Sequence, residues 1–596
     1  MGLCDLFGRL AHRSLFSQTN CRDSAVWTSA KVRNLVKFGV LFCCSYSSYT
    51  HRKLLNMPPR SKRPRTAIPG SSQSSGTIAS VPPVASGAHA PSLNPAPQGA
   101  GERSAEQRQF LEEIRQSRVD WGSAQIFPFQ EDRVRSISAA VTLPSRQAGH
   151  AVAYWMSRDC RVQDNWALIY AQRIALQEQV PLHIVFCLTP KFADATIRAY
   201  KFLLGGLQEV QQECSALDIG FHLLIGYAKD VLPTFLRERN IPFFVCDFNP
   251  LRGPLGWVED VKQRIGAASF VQVDAHNIVP CWVASDKEEA AARTIRGKLH
   301  KRMEQFHTPF PPVVKHPFKV KLEIPVVDWQ AAEASLEVDR TVDSVQWAKP
   351  GTENGLIMLF GFLTQRLKNY AQRNDPNVAA LSDMSPWFHF GQVAVARAIL
   401  EGERYIRDKA RLKPGFEVFF EEAIIRRELS DNFCFYNKNY DNLNGAKQWA
   451  KLSLEKHAID PRPIVYSQQQ LEEARTHDDL WNAAQVQMNR DGKLHGFLRM
   501  YWAKKILEWT ADPAEALRIA ICLNDKYNLD GRDCNGYVGC MWSICGVHDM
   551  GWKEREIFGK IRYMNYAGCQ RKFDVPAFVN KYKRYFPEPI VASVTY

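Results

Sequence analysis

Short apolar runs alternate with helical stretches between residues 151 and 275, and this alternation restricts the fold more than any other feature. Strands that are apolar throughout and separated by helices are typical of a parallel sheet with helices on both faces. We therefore predict an α/β N-terminal domain with a five-stranded parallel, Rossmann-like sheet over residues 148–280. Neither a GxGxxG nor a Walker A motif follows the first strand, so NAD or ATP binding of the usual kind is not indicated. The expected strands are Ala151–Met156, Pro181–Leu188, Gly220–Gly226, Pro242–Phe248 and Ser269–Ala275.

The chain changes character after residue 280. Residues 281–350 are irregular and contain many prolines, and we interpret them as an interdomain connector. From 351 to 590 apolar residues recur at helical spacing, which predicts an all-α C-terminal domain. Its expected helices are Gly355–Gln372, Gln392–Glu401, Phe416–Asn432, Asp478–Asn489 and Gly496–Thr510.

The positive charge is concentrated at the start of the chain. The formal net charge is +14, yet residues 1–100 hold twelve Lys or Arg against two acids, so the remaining residues carry only +4. A nucleic-acid-binding surface in the folded body must therefore be local. Residues 66–100 are mostly Ser, Pro, Ala and Gly and have no charged side chain, which is typical of a flexible linker. We predict a disordered basic tail and linker over residues 1–120.

Two segments of this tail resemble targeting signals. Residues 1–56 are rich in Arg and Ser and poor in acids, as organelle transit peptides are, although Met57 is an alternative start that would leave them untranslated. Pro58–Arg65 is a short basic cluster of the kind that suits nuclear import. We predict a nuclear location, with a mitochondrion or another organelle as the alternative destination through residues 1–56.

Membrane insertion and metal binding are not indicated. No apolar run approaches the ~18 residues that a membrane span requires. The sequence contains no HExxH motif and no Cys/His set at zinc spacing. We therefore expect no membrane association and no metal site.

Two features of the helical region allow either a structural or a functional interpretation. Trp502 and Trp509 are seven residues apart and share one helix face; with Trp481 they could pack in a core or relay an electron. The segment Leu523–Gly539 is rich in Asn, Asp and Gly. Such a loop could approach a ligand closely, or it could be a surface turn.

Four segments resemble the class II cyclobutane pyrimidine dimer photolyases of the photolyase/cryptochrome family. The similarity spans about residues 150–590, and the first 100 residues lie outside it. Several long motifs in the family's order make the match specific. The segments are Trp155–Leu168, Glu422–Phe433, Gly496–Trp509 and Leu523–Gly539.

The resemblance implies an antenna α/β domain joined to a helical domain over 351–590 that binds FAD and DNA. The resemblance also allows a second, antenna chromophore in the α/β domain, which the sequence does not identify. Asn524 matches the asparagine that faces the reactive central-ring nitrogen of the flavin, and Asn535 is the alternative. Hydroxyl and backbone N–H groups near the expected Gln392–Glu401 helix suit a pyrophosphate. The other residues at FAD-binding positions are Tyr370, Ser382, Met384, Ser385, Arg499 and Asp530.

The resemblance also assigns residues to the substrate. Glu422, Met500 and Trp542 match the pocket for the dimer, in which Trp542 offers a stacking face. Trp552 and Arg562 match residues that fill the gap left in the duplex when the dimer flips out. Arg426 lies one turn beyond Glu422 and could contact phosphate or substrate. The tryptophans Trp502, Trp481 and Trp509, in that order outward from the flavin, match the family's photoreduction relay.

The implied function is light-driven repair of cyclobutane pyrimidine dimers in double-stranded DNA by a monomeric enzyme. An excited reduced FAD gives one electron to the flipped-out dimer, the cyclobutane ring splits, and the electron returns. One alternative is a cryptochrome-like blue-light photoreceptor, against which Glu422, Met500 and Trp542 argue together. Another is a (6-4) photoproduct photolyase, for which His495 is the nearest candidate histidine.

Overall fold

The structure is a computed structural model that describes residues 103–139, 141–320 and 323–587. The predicted transit segment, the basic cluster at Pro58–Arg65 and most of the predicted tail lie outside the described residues. Within the described part of the chain, no helix combines the length and the apolar character that crossing a membrane demands.

A six-stranded sheet forms the centre of the N-terminal part, in the order β1-β6-β5-β2-β3-β4. The five predicted strands are confirmed, and all five run parallel. The sixth, β1, pairs antiparallel with β6 through Val134 opposite Val273. Strand β1 was not predicted, because it has three residues and is only partly buried. The strands are β1 Val134–Ser136, β2 Val152–Met156, β3 Leu182–Leu188, β4 Gly220–Ile225, β5 Phe243–Asp247 and β6 Ser269–Val273.

Helices cover both faces of the sheet, as the apolar strands predict. Side chains alternate along β2: Tyr154 packs into one apolar core, and Trp155 packs into a second core on the opposite face. The first of these cores continues into the C-terminal helices through residues such as Leu359 and Phe416. A third core holds the last helices together. The first core therefore contains residues of both the α/β part and the helical part. The exact domain boundaries stay a prediction.

Helices make up most of the remaining structure. Their bounds are α1 Ala105–Val119, α2 Trp166–Gln177, α3 Ile197–Ala216, α4 Ala228–Glu238, α5 Arg252–Lys262, α6 Cys281–Ala284, α7 Ala292–Phe306, α8 Trp329–Ala334, α9 Thr352–Gly361, α10 Ser385–His389, α11 Val395–Ile406, α12 Lys413–Phe420, α13 Arg427–Tyr436, α14 Gln448–Lys456, α15 Gln468–Glu472, α16 Asp479–Asp491, α17 Gly496–Trp509, α18 Pro513–Tyr527, α19 Cys534–Cys545, α20 Tyr566–Gln570 and α21 Val575–Tyr582.

Two of the segments that we expected to be irregular form long helices. Helix α1 lies inside the predicted tail, where Ser104 and Gln107 form a capping box and Phe110 is buried. Helix α7 lies inside the predicted connector, with Ile295 and Leu299 in the core. Both helices are strongly charged on the outside, and their apolar faces acquire a partner only when the rest of the chain has folded.

Two predicted long helices are interrupted by π-helical turns. The helix expected at Gly355–Gln372 ends at Gly361 and continues as the π turn Phe362–Arg366 and a 3-10 turn. The helix expected at Phe416–Asn432 contains the π turn Glu421–Arg426 between α12 and α13. An extra residue in one turn does not disturb the apolar periodicity enough to be seen in the sequence. Such turns are frequent at functional sites.

The predicted loop Leu523–Gly539 is mostly helical. Helix α18 continues to Tyr527, and α19 begins at Cys534 after the N-cap Asp533. Only residues 528–533 form the turn between them. A β-carbon on Gly531 would lie 2.6 Å from the carbonyl oxygen of Asn524, so a residue without a side chain is required for this close approach.

Candidate functional site

The predicted phosphate-binding residues lie in the turn 381–385, which leads directly into α10 rather than into the expected Gln392–Glu401 helix. Arg366, from the π turn after α9, fixes this turn: its Nε donates to the Leu381 carbonyl at 3.0 Å and its Nη2 donates to the Ser382 carbonyl at 3.2 Å. Met384 is buried, and Ser382 and Ser385 are half-buried. The sequence did not single out Arg366, because its role depends on carbonyls from another segment.

Three predicted cofactor residues come from three different segments: Arg499 from α17, Asp530 from the turn 528–533 and Ser385 from α10. Arg499 Nη2 lies 3.2 Å from Asp530 Oδ1, and the Ser385 side chain lies close enough to the Asp530 carboxylate to lower its pKa. Burial by itself would raise the pKa of Asp530, but Arg499 and Ser385 outweigh it and hold that pKa below its usual range. The site therefore contains a charged Arg499–Asp530 pair next to the 381–385 turn.

Two buried nitrogen atoms at this place have no hydrogen-bond partner among the described residues: Arg499 Nε and His495 Nε2. His495 is the N-cap of α17, and its Nδ1 accepts the Phe497 N–H at 3.3 Å. Burial and the nearby Lys493 lower the pKa of His495 to about 4. Because buried polar atoms are normally paired, these two atoms fit a polar ligand, in agreement with the FAD site that the resemblance implies.

The two candidate asparagines differ in their surroundings. Asn524 is buried in α18, donates to Asp525 Oδ1 at 3.0 Å and accepts from Asn528 Nδ2 at 3.1 Å. Asn535 is exposed in the first turn of α19, where its amide donates to Asp533 Oδ1 at 2.9 Å. A β-carbon on Gly536 would come within 2.8 Å of Asn524 Nδ2. Asn524 is therefore an interior side chain, whereas Asn535 lies at the surface.

Glu422 lies in the π turn and pairs with Arg373, whose Nη2 is 2.7 Å from Glu422 Oε1. The guanidinium carbon of Arg373 lies 5.8 Å from the ring centre of Tyr370, and burial raises the pKa of that tyrosine. The neighbouring Glu421 has different partners, Arg296 at 2.6 Å and Arg426 at 3.4 Å. The predicted DNA residue Arg426 is therefore part of an ion pair, and Arg373 is a site residue that the sequence reasoning missed.

The other predicted DNA residues form a second group. The guanidinium carbon of Arg562 lies 4.1 Å from the ring centre of Trp552 and 5.6 Å from that of Trp542. Trp552 is 45% exposed, whereas Trp542 and Met500 are half-buried. Two hydrogen bonds of 2.7 and 2.8 Å hold Arg562 on Asp549. Within the described segments, no hydrogen bond, ion pair or ring contact joins Glu422 to Met500 or Trp542.

The three predicted relay tryptophans are all buried and form a contiguous series. The rings of Trp502 and Trp481 are stacked at 6.4 Å with planes 9° apart, and Trp481 contacts Trp509 edge to face at 5.6 Å. Trp509 in turn contacts Tyr466 at 5.5 Å and the exposed His477 at 5.2 Å. The series runs in the predicted order and ends near the surface.

A separate cavity of about 130 Å³ lies at the carboxyl ends of β2 and β3, where open α/β sheets usually bind ligands. The sequence reasoning did not locate it. Arg158, on this cavity, also pairs with Asp431 of α13 at 2.9 Å. The lining includes the aromatic residues Phe192, Tyr200, Trp257 and Phe390 and the arginines Arg158 and Arg532.

In residues 103–139, 141–320 and 323–587, His, Cys, Asp and Glu side chains do not form a group of three or more that could hold a metal ion.

The proteins to which this chain is similar in sequence are named as photolyases. Residues 152–315 match the family model described as DNA photolyase. The chain is 58% identical over 473 residues to a deoxyribodipyrimidine photo-lyase of Potorous tridactylus, covering 79% of this chain and 88% of the relative. It is 47% identical to a deoxyribodipyrimidine photo-lyase of Arabidopsis thaliana, covering 76% of this chain and 93% of the relative.

The fold is similar to that of a solved archaeal photolyase from Sulfolobus tokodaii, whose structure is described as containing two FAD molecules. The TM-score is 0.55 at 15% identity, with 74% of this chain and 96% of that chain covered. At this identity the likeness concerns the fold alone.

Proposed function

This chain belongs to the DNA photolyase family, and from that membership we propose that it repairs cyclobutane pyrimidine dimers in DNA in a light-driven reaction. The observation that carries the proposal is the 58% identity to a deoxyribodipyrimidine photo-lyase over 88% of that relative's length. The cryptochrome and (6-4) photolyase alternatives are not favoured, because the relatives are named for cleavage of dimers. The geometry of the candidate site supports the same reaction.

FAD would be held by the 381–385 turn, Tyr370 and the Arg499–Asp530 pair. When bound in its reduced form, FAD supplies the absorption of light and the single electron that opens the cyclobutane ring. The hydroxyls of Ser382 and Ser385 would donate to phosphate. Arg499 would use its unpaired Nε, and Asp530 would keep the Arg499 side chain in position. The buried amide of Asn524 would hydrogen-bond the cofactor without adding a charge.

The dimer would be bound by Glu422, Met500 and Trp542. The Glu422 side chain is 40% exposed and ion-paired with Arg373, so its second oxygen can accept a hydrogen bond from a base, or donate one when protonated. Met500 offers a polarizable surface, and Trp542 offers a ring on which a base can stack. Arg373 would orient the carboxylate.

DNA would be bound as a duplex with the dimer flipped out. A dimer stacks and pairs poorly, so its extrusion costs less than that of an intact pair. Trp552 and Arg562 form an exposed stacked unit that would occupy the gap in the duplex, and Arg426 would contact the strand near Glu422. We propose that one copy of the chain acts alone.

The series Trp502, Trp481 and Trp509 would carry an electron inward from the surface when the bound flavin is oxidised. The ring separations of 6.4 and 5.6 Å keep neighbouring tryptophans in contact. Three buried tryptophans in contact also contribute to packing, so the relay role is tested by photoreduction and not by stability.

A second, light-harvesting chromophore would occupy the cavity at the carboxyl ends of β2 and β3. The aromatic residues that line this cavity suit a flat aromatic molecule. For the location in the cell, the basic cluster Pro58–Arg65 supports the nucleus, and residues 1–56 support an organelle as the alternative.

The proposed function is tested with a duplex that contains one cyclobutane dimer. The purified protein, with reduced FAD, is illuminated with blue light, and dimer loss is measured against a dark sample. We expect dimers to disappear only in the light, and a matched duplex with a (6-4) photoproduct to stay unchanged. Dimers that persist under illumination, or loss of the (6-4) photoproduct instead, would contradict the proposal.

A further inference from the structure

We propose that Lys504 is a positioning residue for Trp542, and that its ammonium group holds the indole ring as a fixed stacking face for the damaged base. This inference rests on the proposed function, which gives Trp542 its role. It assigns a role to a side chain of α17 that none of the assignments above uses.

The burial of Lys504 is the first observation. Its side chain has 0% exposure in the middle of α17, whereas lysines are almost never fully buried unless they are paired. Within the described residues, Lys504 has no ion pair with an acid. The single hydrogen bond of its Nζ there goes to the Ser543 carbonyl at 2.8 Å. A desolvated charge without a counter-ion is costly, so packing by itself does not account for this lysine.

The position of the accepting carbonyl is the second observation. Ser543 lies in the last turn of α19, which ends at Cys545 before the left-handed Gly546. Carbonyls in a last turn have no partner inside the helix, and the helix dipole makes this end attractive to a cation. Lys504 thus binds the end of the helix that carries Trp542.

The ring contacts are the third observation. The Nζ of Lys504 lies 5.1 Å from the ring centre of Trp542, and the guanidinium carbon of Arg562 lies 5.6 Å from the same ring. Arg562 is itself held by Asp549. Each cation is fixed by hydrogen bonds, and both attract the indole ring. The ring is therefore pre-organised, which reduces the ordering that a stacked base must induce.

The charges around Lys504 make the arrangement sensitive to pH. Burial lowers the pKa of Lys504 to about 7, Asp549 and Cys545 act in the opposite direction, and Arg562 lowers it further. The protonated fraction of Lys504 therefore falls as pH rises through about 7, and the hold on Trp542 weakens with it.

The test is a double-mutant cycle on the full-length protein with its flavin. The measured quantity is the ratio of Kd for undamaged duplex to Kd for the same duplex with one dimer, for wild type, Lys504→Met, Trp542→Ala and the double variant. We expect Lys504→Met to reduce this ratio roughly threefold to tenfold, and to have no effect when Trp542 is already alanine. Lys505→Met is the matched control, because Lys505 pairs with Glu508 at 2.9 Å, and it should leave the ratio unchanged.

The second part of the experiment measures the same ratio of Kd values as a function of pH, and it requires no variant of Lys504. In wild type the ratio should fall between pH 6 and 8.5, while in Trp542→Ala it should be flat. An equal loss from Lys504→Met with and without Trp542, or a wild-type ratio independent of pH, would overturn the inference even if light-driven repair is normal. A wild-type protein with no preference for the dimer would instead refute the proposed function as well.

Discussion

Glu421 and Glu422 are neighbours in the chain, yet their carboxylates have separate partners. Glu421 binds Arg296 and Arg426, while Glu422 binds Arg373 next to Tyr370. Successive side chains in a helical turn point roughly 100° apart, so the two neighbouring carboxylates reach different partners. Only Glu422 is therefore in a position to act beside the Tyr370 segment, and the two glutamates form a natural pair for mutagenesis.

We predict that Glu422→Ala lowers the yield of dimer repair roughly tenfold to a hundredfold while FAD remains bound, because a charge-assisted hydrogen bond to the dimer is worth ~1.5–3 kcal/mol. The measurement is the repair yield per absorbed photon at full reduction of the flavin. Glu421→Ala is the control, and it should repair at close to the wild-type yield. Equal yields in wild type and Glu422→Ala would remove Glu422 from the substrate site.

Trp502 is the innermost member of the proposed relay and is completely buried, with its Nε1 donating to Gln485 Oε1 at 2.8 Å. We predict that Trp502→Phe abolishes photoreduction of the oxidised enzyme but leaves repair intact after chemical reduction, since phenylalanine is much harder to oxidise than tryptophan. Flavin absorbance during illumination is the measurement. Trp166→Phe, a buried tryptophan of α2 that stacks on Phe310, should photoreduce normally. Photoreduction that survives in Trp502→Phe would place the relay elsewhere.

At the scale of elements, the neighbouring strands β3 and β4 hold a buried histidine pair. His183 Nδ1 lies 2.9 Å from His222 Nε2. Burial is the main cause that lowers the pKa of His183 to about 3 and that of His222 to about 4, and the positive charge of Arg239 acts in the same direction. Both imidazoles are therefore neutral in the folded sheet, and protonation of either one opposes the packing of these strands.

We predict that the protein loses stability as pH falls from 7 to 5. An ordinary histidine has a pKa of 6.5, so the unfolded chain binds more protons than the folded one between about pH 4 and 6.5, and stability rises with pH through that window. Each histidine should contribute ~2 kcal/mol to the difference. The measurement is the free energy of urea unfolding at both pH values.

The variant with His183→Leu and His222→Phe should lose this part of the pH dependence. His477→Gln, which changes an exposed histidine, should keep it. If the double variant has the same pH dependence as wild type, other groups are responsible for the loss of stability.

For the whole molecule, the charge and the chemistry lie in different parts of the chain. Residues 1–100 account for most of the +14 net charge, whereas every residue assigned to the cofactor, the relay and the dimer lies in the described part. Phosphate contacts determine how steeply DNA affinity depends on salt, so the tail and the folded body should contribute separately to that dependence.

We predict that a chain that starts at residue 103 keeps its FAD and its light-driven repair but binds DNA with a weaker dependence on salt. The slope of log K against log salt should become less steep by about 0.9 for each phosphate contact that the tail makes. Titrations of undamaged duplex between 50 and 200 mM salt give the two slopes. Identical slopes would mean that the tail does not contact DNA, and loss of repair would mean that it supports the site.

The sequence by itself determined the two-part architecture. Apolar strands separated by helices predict a parallel sheet, and the later apolar spacing predicts helices; both are local patterns that burial imposes on the chain. The same patterns could not reveal α1, α7 or the strand β1, because short or highly charged elements bury their apolar residues only against distant partners. The π turns were hidden for a related reason, since one additional residue in a turn leaves the apolar periodicity nearly unchanged.

The motifs of the sequence identified the candidate site residues, and the tertiary structure decided which of them are in contact. The pair Arg499–Asp530 and the series Trp502, Trp481 and Trp509 were predicted, and the structure gives their distances. Arg366 and Arg373 were not predicted, because each acts on a carbonyl or carboxylate that the chain delivers from another segment. The identity of a side chain is given by its position in the sequence. Its hydrogen-bond partner and its burial depend on how the whole chain packs.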